Sequence, residues 1–464
     1  MRSNRITSLL NRIKDVPKRK VIYWMQTSIR YQYNHGLEHA IRLANLKKSE
    51  LLVVFYLDFS FPNANLRSFK FMLEGLYETL LTLNQNQIAV KVILGKAEDL
   101  IHKELIDASD LVMDFAYLRY QRLQRTKIKE ACINQGIDIN ISMVESDLLV
   151  PVESIYPKKA YNARIIRGHV LRQMNEFRDL NQMSKLEVRS LKLFESEFDF
   201  KNMNQSLKTY LTDQSVLPSV SYIGGYSEAI KMLQVFLDDK FISYGENDPS
   251  KRVQSYLSAY LHFGFISVLD ILDRLDLYML EHQLSFGVYD KFIEQLLVRR
   301  SLAFNFVYYE LNYDVFEYMT EKWAYDTLNN HQVDERYELY SLNEIEYGKT
   351  KDIYFNASMD EMRLTGYMPN YLRMYWAKKI MEWQPSMKIA YESIKYLNDK
   401  YFIDGRDPNS YASIAWCFGK HDRAWQERKI FGKVRYMSQT GLLSKFDMAS
   451  YIDYVEKIKK ALIT

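Results

Sequence analysis

Cysteine is almost missing: Cys132 and Cys417 are the only two among 464 residues. Two thiols cannot build a disulfide framework or a Cys-rich structural zinc site, and they fit a reducing cytoplasm. No metal site is expected. No apolar run reaches membrane-spanning length, so no membrane partner is expected either. The opening MRSNRITSLLNRIKDVPKRK is basic but holds no apolar signal core and no small-residue cleavage site, which predicts no secretory leader. No GxGxxG follows the first apolar run, and no GxxxxGK followed by Ser or Thr occurs. The ordinary dinucleotide and triphosphate loops are therefore absent. Internal repeats and low-complexity tracts are absent too.

Burial capacity is plentiful. Hydrophobic residues make up 47% and aromatics 14%, a globular rather than disordered composition. The length favours two domains. A net charge of +4 is mild and permits a polyanion partner without requiring one.

The chain has two rhythms. Up to about Pro151, apolar runs at Val21–Trp24, Leu51–Tyr56, Ile88–Leu94, Leu111–Phe115 and Ile137–Met143 alternate with helical patterns. The helices are expected near 31–44, 66–84, 97–106 and 118–135. This predicts an α/β domain, a Rossmann-like parallel sheet wrapped on both faces, over 1–150. Residues 151–225 read as an interdomain connection with a helix or two near 163–178. Strand signals nearly vanish beyond Tyr226, so 226–464 is expected to be an all-α domain.

Four of the six tryptophans, Trp376, Trp383, Trp416 and Trp425, fall between Tyr371 and Trp425. Arg373, Trp376, Ile380 and Trp383 share one helical stripe. An arginine there needs an anion, and Asp404 or Asp407 of the DGRDPN turn can supply it. Two readings stand: a structural ion pair, or a clamp on a polar cofactor with a flat redox ring. Ser255 and Ser258, near Leu257 and following Tyr244, fit either a plain N-cap or a phosphate site. Gln295 and Arg299 interrupt an apolar helical face, as a cavity wall does or as a snorkelling arginine does.

Together these segments resemble the DNA photolyase/cryptochrome family, specifically the class II cyclobutane pyrimidine dimer (CPD) photolyases. EQLLVRRSLAFNFVYY is similar to EELIVRRELADNFCYY, and TGYMPNYLRMYWAKKIMEW to TGKMHGYMRMYWAKKILEW. NDPSKRVQSYLSAYLHFGFIS, DGRDPNSYASIAW and HDRAWQERKIFGKVRYMS follow the family closely, and the likeness runs nearly end to end.

The resemblance implies a helical domain holding FAD and a light-driven carbon–carbon lyase that splits cyclobutane dimers in UV-damaged DNA. An excited reduced flavin passes an electron to a flipped-out dimer. It also implies roles. Tyr244, Ser255, Leu257 and Ser258 would contact the FAD phosphates and ribityl chain. Arg373 and Asp404 would pair beside the flavin, with Asn398 at its N5 and Asp407 nearby. Trp376 and then Trp383 would carry electrons during photoreduction. Gln295, Met374 and Trp416 would meet the dimer, and Arg299, Trp416 and Arg423 the lesion or the DNA. An antenna pigment of the 8-hydroxy-5-deazaflavin type is compatible with the N-terminal domain, and a monomer is the family expectation.

Several positions depart from the family pattern. Gln295 replaces an acid that hydrogen-bonds the dimer; an amide donates but supplies no proton. Glu294 beside it is expected to lie about 100° away on the helix. Phe355 stands where many members have the outer Trp of the photoreduction chain, with Tyr354 as a substitute or an exit of the chain elsewhere. Two further readings follow: a flavoprotein of this fold used for blue-light sensing or another light-driven reaction, and a photochemically inert flavoprotein that recognises DNA.

Overall fold

The computed structural model describes residues 3–12, 20–189, 193–211, 213–284 and 286–461; residues 13–19 of the basic opening lie outside these. Its strands are β1 (Ile6–Leu10), β2 (Lys20–Trp24), β3 (Leu51–Leu57), β4 (Ala89–Leu94), β5 (Ala108–Asp114), β6 (Asn140–Val144) and β7 (Phe194–Ser196). They form one sheet in the order β1-β6-β5-β2-β3-β4-β7. Every neighbouring pair is parallel except β1 with β6.

The central strands are apolar because both faces are covered. All of β5 is buried, and β2 is buried from Val21 to Trp24. Helix His35–Lys47 presents Leu37, Ala40, Ile41 and Ala44 on one side, with Asn34 capping its start through Leu37 N. Helix Arg119–Asn134 buries Gln124, Ile128 and Cys132, four residues apart each time. The N-terminal α/β domain is thus as expected from the alternating pattern.

The structure adds to or departs from the expected elements at three places. The expected helix at 97–106 is broken at Ile101 into Ala97–Leu100 and His102–Leu105. The antiparallel edge strand β1 had no apolar signal, because its side chains stay partly exposed. The connection at 151–225 carries helix Ala163–Gln173, where a helix is expected, and it also returns β7 to the sheet edge beside β4. With only three residues, two of them exposed, β7 has no readable period.

Beyond Tyr226 the described residues form helices and loops, with one isolated bridge between Arg428 and Gly432. The seam between sheet and helices is tied by buried arginines. Arg30 donates to the carbonyls of Gly264 and Ser146 at 2.9 and 3.0 Å. Arg67 donates to Met362 O at 3.0 Å, Tyr401 O at 2.9 Å and Leu217 O at 2.9 Å, and also to Arg363 O. Burial lowers the Arg67 pKa only to about 10, so it remains a cation at neutral pH. Gly264 closes the same seam at φ +67; a Cβ there would lie 1.9 Å from Thr27 O.

Candidate active site

A cavity of about 730 Å³ opens in the helical half. Helix Asn370–Trp383 forms one wall. Its Arg373, Met374, Trp376 and Ala377 line the space, as positions three and four apart on one helical face should. Arg373 Nη1 donates to Asp404 Oδ1 at 3.0 Å, and Nε donates to Met368 O at 2.9 Å. The guanidinium sits 4.0 Å from the centre of the Phe402 ring. Burial disfavours the Arg373 cation, but Asp404 outweighs it and the pKa ends above its ordinary value.

The DGRDPN turn joins helix Met387–Tyr401 to helix Pro408–Cys417. Asp407 caps the second helix, where Oδ1 accepts from Asn409 N at 2.8 Å, with Pro408 in the first turn. Its Oδ2 faces His262 Nδ1 at 3.0 Å. Burial pushes the Asp407 carboxyl up, yet the His262 hydrogen bond and charge prevail and hold it below the usual range. Asn398 is buried against the cavity, and its Nδ2 donates to Asp399 Oδ1 at 2.9 Å, which sets the amide orientation from outside.

Tyr244, Ser255, Leu257 and Ser258 line the same cavity. The plain serine-cap reading fails here. The N-cap of helix Ser258–His262 is Leu257, which makes no side-chain cap bond. Gln254 beside them has a buried Oε1 without a hydrogen-bond partner, a feature no periodicity argument finds.

Gln295 reaches the cavity from the segment Glu294–Arg299, which is a π-helical turn inside a long helix. The wider turn breaks the 3.6-residue register assumed from sequence. Glu294 also lines the cavity. It is bracketed by cations: Arg167 donates to it twice, at 2.9 and 2.8 Å, and Arg299 Nε once, at 3.0 Å. Burial alone would raise its pKa; the two arginines hold it below the ordinary value.

Other expected residues lie outside this cavity. Arg299 is half exposed beside Glu294. Trp383 is buried further along helix Asn370–Trp383, against Phe355 at 4.8 Å and Tyr340 at 5.0 Å. Phe355 is itself fully buried and packs against Trp383. Tyr354 makes no ring contact with either tryptophan among the described residues. Trp416 is half-buried, with the Arg435 guanidinium 5.1 Å from its ring centre. Arg435 also lies 4.1 Å from the Trp425 ring, and the exposed Arg423 lies 5.0 Å from that ring. The result is an open face of alternating cations and indoles.

A second cavity, about 170 Å³, sits at the carboxyl ends of β2, β3, β5 and β6. Trp24, Leu57, Tyr117 and Asp147 line it from the sheet side, and Phe304, Arg406 and Asp407 from the helices. Arg406 Nη2 and the Tyr56 hydroxyl, both on its wall, have no hydrogen-bond partner. Burial raises the Asp147 carboxyl to about 7. Sequence reading missed this site, although strand carboxyl ends at a reversal of strand order are where open α/β sheets bind ligands.

The family profile DNA photolyase matches residues 21–185. The deoxyribodipyrimidine photo-lyase of Methanothermobacter thermautotrophicus is 40% identical over 456 residues, covering 98% of each chain. Among solved structures, a class III photolyase from Agrobacterium tumefaciens superposes with a TM-score of 0.71 at 15% identity, covering 97% of this chain and 91% of its own. An archaeal photolyase from Sulfolobus tokodaii, described with two FAD molecules and a proposed light-harvesting cofactor, gives 0.66 at 18% identity, covering 94% and 89%.

Proposed function

Because the chain belongs to the DNA photolyase family, we propose that it is a class II enzyme that repairs cyclobutane pyrimidine dimers, light driving an electron from reduced FAD to a dimer flipped out of DNA. One observation carries this reading. Arg373, Asp404, Asn398, Asp407 and the Tyr244–Ser258 loop converge on one cavity with Gln295 and Met374 on its wall.

The cavity fits the flavin nucleotide chemically. Gln254 offers an unmatched buried acceptor, Ser255 and Ser258 offer hydroxyls, and the Arg373–Asp404 pair offers fixed charge. Tyr244, Ser255, Leu257 and Ser258 would hold its phosphates and ribityl chain, and Arg373, Asn398, Asp404 and Asp407 its ring system. When bound, FAD supplies the light-driven electron. Gln295 donates a hydrogen bond from its amide toward the dimer but keeps its protons. Glu294, ionised between two arginines, does not replace the missing acid. Met374 and Trp416 give stacking surface, and Arg299 and Arg423 attract phosphate.

In this reading residues 1–150 form an antenna-type domain, 151–225 a connection and 226–464 the catalytic domain. The second cavity would take an antenna pigment such as an 8-hydroxy-5-deazaflavin, its polar edge meeting Arg406 and Tyr56. No described helix is long and apolar enough to cross a membrane. The protein is taken to act as a monomer.

The test is dimer loss from irradiated DNA under blue light after chemical reduction, with the absorption spectrum recorded first. Flavin absorption with dimer loss supports repair. Light-induced flavin reduction without dimer loss favours the sensing reading, which Gln295 and Phe355 also favour. Colourless protein that takes up no flavin ends both.

A further inference from the structure

Trp383 is 2% exposed, so a positive hole that reaches it from Trp376 is still inside the protein. Trp376 and Trp383 are seven residues apart on one helix, about 10 Å along its axis. Phe355 and Tyr340 are the rings packed edge-on against Trp383. Phe355 is fully buried, and a phenyl ring is a poor hole carrier. Tyr340 is only half-buried, at 5.0 Å and 79° to the indole.

The surroundings of Tyr340 suit loss of an electron together with a proton. Its hydroxyl donates to Glu338 Oε2 at 3.2 Å and accepts from Lys351 N at 3.1 Å. Glu338 is in turn paired with Lys351 Nζ at 3.1 Å, which anchors the carboxylate. Gln384, next to Trp383, donates its Nε2 to Tyr340 O at 2.8 Å, so backbone and indole are held in one frame. Lys379 Nζ lies 4.9 Å from the Trp383 ring centre. A cation there opposes a positive charge lodged on that indole and favours passing it on, although Glu382, 2.7 Å from Lys379, offsets part of this.

We propose that Tyr340 is the terminal hole acceptor of photoreduction, with Glu338 as its proton acceptor; this rests on the flavin reading above. Trp376 gives one electron to light-excited oxidised flavin. Trp383 refills Trp376, and Tyr340 refills Trp383. The Tyr340 O–H bond breaks as the electron leaves, and its proton moves to Glu338. A neutral tyrosyl radical remains beside a neutral carboxylic acid. An external thiolate then returns one electron and becomes a thiyl radical, while Glu338 returns the proton.

Transient absorption and spin resonance of the full-length, flavin-loaded protein under blue light with a thiol test this. The expected result is a tryptophanyl signal that decays into a tyrosyl signal. Tyr340→Phe removes the tyrosyl signal and shortens the life of the charge-separated state. Glu338→Gln keeps the hydrogen-bond geometry but slows tyrosyl formation. Dimer repair by chemically pre-reduced protein stays unchanged in both variants. A wild-type protein that photoreduces through tryptophan alone, with Tyr340→Phe indistinguishable from it, overturns the tyrosine and leaves the flavin reading intact. A tyrosyl signal surviving in Tyr340→Phe overturns it equally. Failure to bind flavin at all sinks the parent reading and this one with it.

Discussion

Arg373 and Asp404, 31 residues apart in sequence, meet at 3.0 Å on the wall of the large cavity. Neither is well solvated, so each is the other's main compensation. Asp404→Asn leaves the guanidinium beside Phe402 without its anion. The expected cost is about 2 kcal/mol, below the full cost of breaking a buried pair because some water reaches the site. Urea denaturation measures it. Bound chromophore, counted by absorbance after gel filtration, should fall in the same variant.

Gln295→Glu should raise the repair yield per absorbed photon. The introduced carboxyl would stand beside the ionised Glu294, and a like charge nearby favours the protonated form. A neutral acid can both donate to the dimer and give up a proton. Dimer loss at fixed blue-light dose measures this. Unchanged or lower yield would show that the amide is the better partner in this cavity.

His331 bridges two elements: Nε2 meets Glu427 at 2.9 Å and Nδ1 meets Asp334 at 2.6 Å. Asp334 also accepts from Ile430 N at 2.7 Å, which ties down the segment following Trp425. The hydrogen bonds to Glu427 and Asp334 raise the His331 pKa above its ordinary 6.5. A raised folded-state value means the contribution is complete below pH 6.5 and is lost as pH rises through the folded pKa. Thermal melts of wild type and His331→Gln should therefore differ most in mild acid and converge in mild alkali.

Arg423→Ala should weaken binding to irradiated duplex uniformly across sequences. If Arg423 meets one phosphate, the slope of log affinity against log salt becomes shallower by about 1. Titrations at several salt concentrations read that slope. An unchanged slope would remove this arginine from the DNA face.

Much of this molecule was legible because its signals are local. The apolar runs became strands since both sheet faces are buried, and the Arg373 stripe announced an anion that Asp404 supplies. What escaped depended on geometry that sequence spacing does not encode. The π-helical turn that carries Glu294 and Gln295 leaves no mark in the residue spacing. Strands β1 and β7 are edges with exposed side chains, so they lack the burial that writes a pattern. The burial of Phe355 and the Tyr340 ring against Trp383 come from contacts between separate helices and loops. The second cavity needs both halves assembled before it exists.

Arg67 belongs to the helix after β3, yet its guanidinium ends on the last carbonyls of two helices of the other half, Ile353–Thr365 and Met387–Tyr401. A cation at helix carboxyl termini offsets the partial negative charge gathered there. The helical half is thus not a portable module. Excised by proteolysis or expressed as a fragment, it would lose a charge that quiets two of its own helix ends, one of them a single turn from Asn398.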